Sequence, residues 1–216
     1  RILMSERPES GLIFCNTRYA VDHVQNFLSS KGYASQAIHG DIPQGKRLKI
    51  MEQFKKGNIH LLVATDVAAR GIHIDDLSLV INYDVPLEKD NYVHRIGRTG
   101  RAGKGGRAIT FVTDDDIISL YEIEEHIGAL IKESALPSDS VIDACRADAE
   151  KWIKEKYQNS ILAAKSSGES QKNRSRKTSA TKKTSSANQE RHRPRPAKEE
   201  ERTPGESRNR TQGEPR

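Results

Sequence analysis

The stretch GLIFCNTRYAVDHVQNFLSSKGYASQAIHGD, residues 11–41, contains the repeating unit of the fold. It begins with a short apolar run, GLIFC, which is typical of a buried strand. Thr17 can cap a following helix, and Gly32 can stop it. The apolar face of that helix would consist of Ala20, Val21, Val24, Phe27 and Leu28. The run ASQAI at 34–38 is a weaker strand candidate, so the stretch predicts a strand–helix–strand unit.

The same alternation continues toward the carboxyl terminus. Three further apolar runs predict strands: HLLVAT at 60–65, SLVINY at 78–83 and RAITFV at 107–112. Pro43 can open a second helix that Gly57 ends and that Leu48, Met51 and Phe54 line on one side. A third helix is predicted at about 88–97. Continuously apolar strands alternating with helices predict an open, mainly parallel α/β sheet covered on both faces.

The pattern changes after Thr113. Residues 114–132 read as a helix that starts on three aspartates, and a second helix is predicted at 138–157. From Asn159 onward large apolar residues almost vanish, which predicts disorder. We therefore divide the chain into a main domain at 1–132, a helical extension at 133–158 and a disordered basic tail at 159–216.

Charge is concentrated in that tail. The whole chain carries a net charge of +6, but residues 159–216 alone carry +8. Residues 171–198 hold ten Lys or Arg and one Glu, without Tyr, Phe or Trp. This composition favours sequence-independent attraction to nucleic-acid phosphates, and less often a membrane surface. A merely solvated linker is an equally good interpretation.

The cysteine content and the hydropathy of the chain indicate the cellular compartment. Cys15 and Cys145 are too few for a disulfide framework and lack metal-ligand spacing, so no metal site is predicted. No stretch approaches the ~20 apolar residues of a membrane span, and the start has no signal-peptide core. We expect a cytoplasmic protein without a membrane partner. The missing initiator Met suggests a piece of a longer protein.

Polar clusters follow the predicted strands. NTR (16–18) follows the first, HGD (39–41) the second and TDVAARG (65–71) the third, while HRIGRTGRAG (94–103) comes after the fourth. Because the carboxyl ends of parallel strands share one edge of a sheet, these four segments should converge there. Their common placement is stronger evidence for a site than any one of them.

The arginine-rich segment suits phosphate chemistry. A guanidinium binds phosphate oxygens bidentately and can stabilise the charge that develops in phosphoryl transfer. Arg98 and Arg101 are three residues apart, so we expect them to project from one helical surface. Asp66 could orient Arg70 or an arginine of 94–101. A solvated basic helix end is the alternative, which the surrounding sheet pattern disfavours.

Together these segments resemble the second RecA-like domain of a DEAD-box ATP-dependent RNA helicase. GLIFCNT (11–17) resembles motif four, QGKR (44–47) the QxxR element, TDVAARG (65–71) motif five and HRIGRTGRAG (94–103) motif six. The resemblance implies a RecA-like open, mainly parallel sheet flanked by helices, followed here by C-terminal helices and the tail. RGxHI together with QxKRLxI resembles the bacterial RhlB-like subgroup, which is associated with RNA decay.

The resemblance also implies residue roles. Arg98 and Arg101 would approach the γ-phosphate of ATP, with Arg101 the favoured arginine finger, and His94 and Arg95 would link to the DEAD element of the first domain. Gly71, His73 and Asp75 would lie near the nucleotide; His73 stands where the family usually has an Asp near the ribose, so His73 or Asp75 could replace that contact. The RNA sugar-phosphate backbone would meet Thr17, Gly40, Asp41, Gln44, Arg47 and Thr65.

The sequence contains neither a GxxxxGK[ST] P-loop nor a DEAD element. In the family these lie in the first, N-terminal RecA-like domain and hold the ATP phosphates and Mg²⁺. We therefore expect the 216 residues alone to hydrolyse no ATP, and the full-length protein to unwind RNA duplexes locally with ATP. Expected partners are RNA, the N-terminal domain, and RNA-decay or ribosome-assembly proteins.

Two other functions remain open. The chain could be a non-catalytic RNA-binding or adaptor module that kept the fold, although the retained Arg98 and Arg101 argue against loss of the chemistry. A DNA-directed helicase is a third interpretation, and the sequence of motif six makes it less favoured.

Overall fold

The computed structural model describes residues 1–70, 74–100 and 105–186, with side chains as far as Leu162. The helices are α1 (Ile2–Glu6), α2 (Arg18–Ser30), α3 (Gln44–Lys55), α4 (Asp66–Ala69), α5 (Lys89–Ile96), α6 (Ile117–Ile127) and α7 (Asp139–Ser186). The strands are β1 (Gly11–Phe14), β2 (Ser35–Ile38), β3 (Leu61–Ala64), β4 (Leu79–Asn82) and β5 (Arg107–Thr110). A single 3₁₀ turn at Asp114–Asp116 precedes α6.

The five strands form one parallel sheet in the order β2-β3-β1-β4-β5. Phe14 is level with Ala64 of β3 and Asn82 of β4, and Ile38 is level with Ala64. The predicted open parallel sheet is therefore confirmed, including the weaker strand candidate at 34–38. The carboxyl ends of β2, β3, β1 and β4 lie side by side.

Both faces of the sheet are covered, as continuously apolar strands require. Leu12 and Phe14 of β1 pack with residues of α3 and α4, among them Phe54 and Ala68. The alternate residues of β1 pack with α2 and with Trp152 of α7. Helices on both sides thus leave the strand ends as the accessible part of the sheet.

Helix α2 begins and ends where the sequence predicts. The Thr17 Oγ1 accepts a hydrogen bond from the Ala20 N–H at 3.1 Å, and Gly32 adopts a positive φ of 83° just beyond the end. The predicted apolar face is only partly right. Val21 and Val24 are buried, whereas Phe27 is 56% exposed, because at 100° per residue it lies at the flank of the buried face.

Helix α3 starts directly after Pro43 and ends before Gly57, as predicted. The expected role of Leu48 is wrong, since its side chain is 62% exposed. Ile50 and Phe54, one helical turn apart, supply the buried contacts instead. The inward face of α3 is therefore rotated from the one that the sequence suggested.

Of the two carboxyl-terminal helices, α6 is shorter than the helix predicted at 114–132, and α7 is longer than the one predicted at 138–157. α6 ends at Gly128 in the left-handed conformation, and Ile142, Ala149 and Trp152 of α7 are buried against the domain. The backbone of α7 stays helical to Ser186, so no break marks Asn159, where we predicted disorder to begin. Residues 187–216 lie outside the described part, and the boundaries at 132 and 158 remain predictions.

Candidate functional site

The segments that follow β1, β2 and β3 meet at the carboxyl edge of the sheet. Thr17 is exposed after β1, Gly40 and Asp41 are exposed after β2, and Thr65 is half-buried after β3. These strands are neighbours about 4.8 Å apart, so the edge forms a continuous row of small and hydroxyl-bearing residues. We call the row formed by Thr17, Gly40, Asp41 and Thr65 the strand-end edge.

Thr17 and Gly40 of the strand-end edge keep groups that can contact a ligand. The Thr17 Oγ1 accepts one bond from the first turn of α2, so its hydroxyl proton remains available to donate. A Cβ built on Gly40 would meet no atom within 4 Å, so the backbone there lies in open space. Asp41 forms an exposed ion pair with Arg18. This pairing leaves Arg18 held against the edge.

Gln44 and Arg47 lie in the first turn of α3, beside the strand-end edge. The Arg47 guanidinium donates to the Gln44 Oε1 at 3.3 Å and to the Ala68 carbonyl oxygen at 3.0 Å. The second bond ties α3 to the end of α4, the short helix that Thr65 precedes. Arg47 therefore links two segments of the predicted RNA-binding set.

Arg95 occupies the centre of a polar cluster and is only 1% exposed. Its Nε and Nη2 donate to the two carboxylate oxygens of Asp66 at 2.7 and 2.6 Å. Nη1 donates to the Asp84 carbonyl oxygen and Nη2 also to the Asn16 Oδ1, each at 2.8 Å. The guanidinium carbon lies 5.2 Å from the centre of the Phe14 ring. Four of the five N–H donors of Arg95 thus bind partners within its own domain.

This geometry changes how we interpret Arg95. The resemblance implied a link from Arg95 to a neighbouring domain, but a buried guanidinium with four internal hydrogen bonds would have to leave them to make one. In this structure Arg95 joins the segments after β1, β3 and β4, and its link to the DEAD element of the first domain remains a prediction. The prediction that Asp66 orients an arginine of 94–101 is right, and Arg95 is that arginine.

Sequence reasoning assigned no role to two members of this cluster. Asn16 accepts from Arg95 and donates through its Nδ2 to the Val85 carbonyl oxygen at 2.8 Å. Asp84 accepts from the Asn16 backbone N–H at 2.8 Å. Both are polar residues just after an apolar run, and that position was the available signal. Nearby Cys15 is buried, and burial raises the pKa of its thiol to about 12, so it stays protonated.

Arg98 lies beyond the end of α5, which stops at Ile96. The expectation that Arg98 and Arg101 share one helical surface is therefore wrong for Arg98, because Gly97 ends the helix before it. The Arg98 guanidinium lies 3.4 Å from Asp75. Arg101, Gly71 and His73 lie outside the described residues, and their roles remain predictions.

Beside Arg95 there is an open cleft of about 250 Å³. Its walls come from β1, α4, α5 and the turn after α5, and consist of Phe14, Asp66, Ala69, Arg70, Asn91, His94, Arg95 and Arg98. His94 is exposed at this cleft, and the Arg70 guanidinium donates to the Asn91 Oδ1 at 3.2 Å. Its lining holds three arginines and one carboxylate, Asp66. Arg95 pairs with Asp66 and Arg98 with Asp75 just outside the lining, so the charge of Arg70 remains in excess. The cleft is therefore electropositive and suits an anion such as a phosphate.

Among residues 1–70, 74–100 and 105–186, no group of three or more His, Cys, Asp or Glu side chains is arranged to hold a metal ion. Within the same ranges, no helix combines the length and apolarity that crossing a membrane requires.

An open parallel sheet in the order β2-β3-β1-β4-β5, with helices on both faces and polar strand ends at one edge, is the fold of a RecA-like domain. The model for the helicase conserved C-terminal domain matches residues 1–103. The Escherichia coli DEAD-box protein SrmB, solved bound to regulator of ribonuclease activity A, superposes with a TM-score of 0.60 and 37% identity, covering 65% of this chain and 81% of that chain. This chain belongs to the family of DEAD-box helicase C-terminal domains.

Curated relatives agree with this assignment. The chain is 50% identical over 141 residues to the ATP-dependent RNA helicase DbpA of Bacillus subtilis, covering 65% of this chain and 29% of that protein. It is 45% identical over 142 residues to the ATP-dependent RNA helicase RhlB of Shewanella pealeana, covering 66% and 33%. The chain thus spans about a third of the length of these relatives. Since both DbpA and RhlB match, the RhlB-like subgroup remains a prediction.

Proposed function

We propose that this chain is the second motor domain of an ATP-dependent RNA helicase that separates short RNA duplexes locally. The observation that carries the proposal is the junction at Arg95. Its side chain contacts Asn16 and Asp66, which adjoin Thr17 and Thr65 of the strand-end edge, and its backbone belongs to the segment that carries His94 and Arg98. A ligand on the strand-end edge and a ligand in the cleft would therefore act on the same rigid cluster.

The cleft suits the phosphates of ATP because its donors are cationic. Arg98 borders the cleft, and with Arg101 it would stabilise negative charge on the transferred phosphoryl group. Asp75, together with Gly71 and His73, would lie near the bound nucleotide, and His94 would link to the DEAD element of the neighbouring domain. ATP supplies the anhydride bond whose hydrolysis resets the motor. The P-loop, the DEAD element and the Mg²⁺ that they hold belong to a neighbouring RecA-like domain in this proposal.

The strand-end edge would hold the sugar-phosphate backbone of one RNA strand. Its hydroxyl and backbone groups are typical phosphate contacts, which position a strand without reading its sequence. Gln44 and Arg47 extend the edge at the start of α3, and the Arg47 bond to Ala68 keeps α3 in register with Thr65. Closure of two domains on a bent strand would displace the complementary strand.

The biological setting belongs to the same proposal. The relatives named DbpA and RhlB are ATP-dependent RNA helicases, which supports RNA as the substrate. We place the protein in the cytoplasm, in RNA decay or ribosome assembly, with proteins of those processes as partners.

RNA-stimulated phosphate release by the full-length protein tests this function. We expect hydrolysis that requires both ATP and RNA, and an Arg98→Ala loss of at least about 10³-fold in rate. Arg146→Ala is the matched control, because Arg146 is an exposed arginine of α7 that pairs with the exposed Asp143. The 216 residues alone should release no phosphate.

The same assay separates the catalytic from the adaptor interpretation. A full-length protein that binds RNA but shows no RNA-dependent hydrolysis would support a non-catalytic module. Hydrolysis that DNA stimulates as well as RNA would favour a DNA-directed motor. Unchanged hydrolysis in Arg98→Ala would contradict the role of the cleft.

A further inference from the structure

Helix α2 carries a row of exposed rings on the side turned away from the sheet. Tyr19 is 81% exposed and Phe27 is 56% exposed, and His23 between them is also exposed. Lys31 follows at the end of the helix. These four residues are spaced by four, so they lie along one side of α2. We call Tyr19, His23, Phe27 and Lys31 the aromatic stripe.

Neighbouring members of the stripe are in contact. The Tyr19 and His23 rings are nearly parallel, with an angle of 20° and centroids 6.3 Å apart. The Lys31 ammonium lies 5.8 Å from the centre of the Phe27 ring. The stripe is therefore a set of flat, accessible faces with a cation at one end.

The stripe does not stabilise the fold through burial. The side of α2 that packs on the sheet consists of Val21, Val24 and Leu28, which are buried. Aromatic residues also have lower helix propensity than the alternatives available at exposed positions. The rings of Tyr19 and Phe27 are thus not part of the buried face that packs α2 on the sheet.

The stripe begins at the strand-end edge. Tyr19 lies two residues after Thr17, in the first turn of α2. From Tyr19 to Lys31 the helix advances about 18 Å, at 1.5 Å per residue. A strand held by its backbone at Thr17 would therefore meet the stripe as it leaves the edge.

Charge along α2 favours a polyanion on this side. Asp22 is the single acidic residue of α2, and its carboxylate contacts the His39 Nε2 at 3.1 Å, toward β2. Arg18 is likewise turned toward β2 by its ion pair with Asp41. The helix thus places no carboxylate in the stripe, and Lys31 adds a positive charge.

We propose that the aromatic stripe is a stacking platform for the bases of single-stranded RNA leaving the strand-end edge. The proposal rests on the RNA-binding function proposed above and adds base contacts to the backbone contacts of the edge. Stacking on aromatic rings tolerates any base, because every base has a flat π face. The stripe would lengthen the footprint without adding sequence specificity.

Binding of short and long oligouridine to the full-length protein, with a non-hydrolysable ATP analogue, tests the stripe. The short strand covers only the strand-end edge, and the long strand is twice that length. We expect Tyr19→Ser and Phe27→Ser each to weaken long-strand binding by roughly tenfold while leaving short-strand binding nearly unchanged. Tyr19→Trp should restore long-strand affinity. A long strand with abasic sites beyond the edge should bind wild type and variants alike.

Tyr121→Ser is the matched control, since Tyr121 is a 64% exposed tyrosine on α6, a helix separate from the strand-end edge. The proposal is overturned if the Tyr19→Ser, Phe27→Ser double variant has the same ratio of long-strand to short-strand affinity as wild type. This holds even if the double variant no longer binds some protein partner, because the stripe would then bind protein and not RNA. If wild type showed the expected long-strand affinity but no RNA-stimulated hydrolysis, the helicase function would be rejected and the stacking platform would stand.

Discussion

Arg95 and Asp66 form a two-point ion pair between segments 29 residues apart, with donor–acceptor distances of 2.7 and 2.6 Å. Asp66 opens α4 directly after β3, and Arg95 lies in the last turn of α5. Two parallel hydrogen bonds fix the orientation of both groups as well as their distance. The pair therefore sets the position of the segment that leads into Arg98 relative to the strand ends.

Removing half of this pair should destabilise the domain. Asp66→Ala leaves the Arg95 guanidinium buried without its carboxylate, and breaking a buried pair in this way costs about 3–5 kcal/mol. We expect a loss in the lower part of that range, because Asn16 and Asp84 still accept from Arg95. Urea unfolding followed by the fluorescence of Trp152, the single tryptophan of the chain, measures it.

Asp143→Ala provides the control for that experiment. Asp143 also pairs with an arginine, Arg146, but both side chains are exposed on α7. Exposed pairs contribute only ~0–1 kcal/mol, so this variant should unfold nearly like wild type. Equal losses in Asp66→Ala and Asp143→Ala would show that the Arg95 pair does not organise the strand ends.

Gly106 should not tolerate a side chain, whereas its neighbour Gly105 should. A Cβ on Gly106 would lie 2.0 Å from the Thr99 Oγ1 and 2.7 Å from the Gly100 backbone nitrogen. A Cβ on Gly105 would meet nothing within 4 Å. We expect Gly106→Ala to lower the free energy of unfolding by about 1–3 kcal/mol, because the turn after Arg98 must move.

The Gly105→Ala variant is matched in chemistry and differs by one position. It should change the free energy of unfolding by less than about 0.5 kcal/mol. In the full-length protein Gly106→Ala should also slow RNA-stimulated hydrolysis, since Thr99 and Gly100 follow Arg98 directly. A Gly106→Ala protein as stable as Gly105→Ala would refute the close approach.

The sheet was predictable because burial on both faces leaves a continuous apolar run in each strand. The strand-end edge followed from the same reasoning, since parallel strands bring Thr17 and Thr65 to one edge whatever the helix details.

The direction of individual side chains was not predictable. Arg95 and Arg98 are three residues apart, yet Arg95 is buried among acceptors and Arg98 lies past the end of α5. The position of Asp66 decides the first, and the helix end at Gly97 decides the second. Phe27 follows the apolar pattern of α2 but faces solvent, because the sheet covers a narrower side of the helix than the sequence suggests.

Stability should fall as pH is lowered because of His60. The His60 side chain is 1% exposed, edge-on to the Trp152 ring at 4.9 Å, and burial lowers its pKa from 6.5 to about 4. The unfolded state therefore binds more protons between those two values. The contribution of neutral His60 to the free energy of unfolding is fully present above 6.5, its pKa in the unfolded state. It is lost as pH falls toward about 4, its pKa in the folded state, and the loss between pH 7 and pH 5 is about 2 kcal/mol.

Urea unfolding at the two pH values tests this, with Trp152 fluorescence as the signal. His60→Phe keeps an aromatic ring against Trp152 and removes the titrating group, so the part of the pH dependence due to His60 should disappear. The same slope in wild type and His60→Phe would show that another group causes the acid loss.

The basic tail should strengthen RNA binding mainly at low salt. Residues 159–216 carry a net charge of +8 and have no Tyr, Phe or Trp between 171 and 198, so their attraction to RNA would be electrostatic. We compare proteins that end at Gln158 and at Arg216. If about five tail cations engage phosphates, the affinity advantage of the longer protein should shrink by about a hundredfold between 50 and 200 mM salt. The aromatic stripe predicts the opposite behaviour, because stacking is not screened: the Phe27→Ser loss should persist at the higher salt. Equal affinity of the two proteins at every salt concentration would leave the tail as a solvated linker.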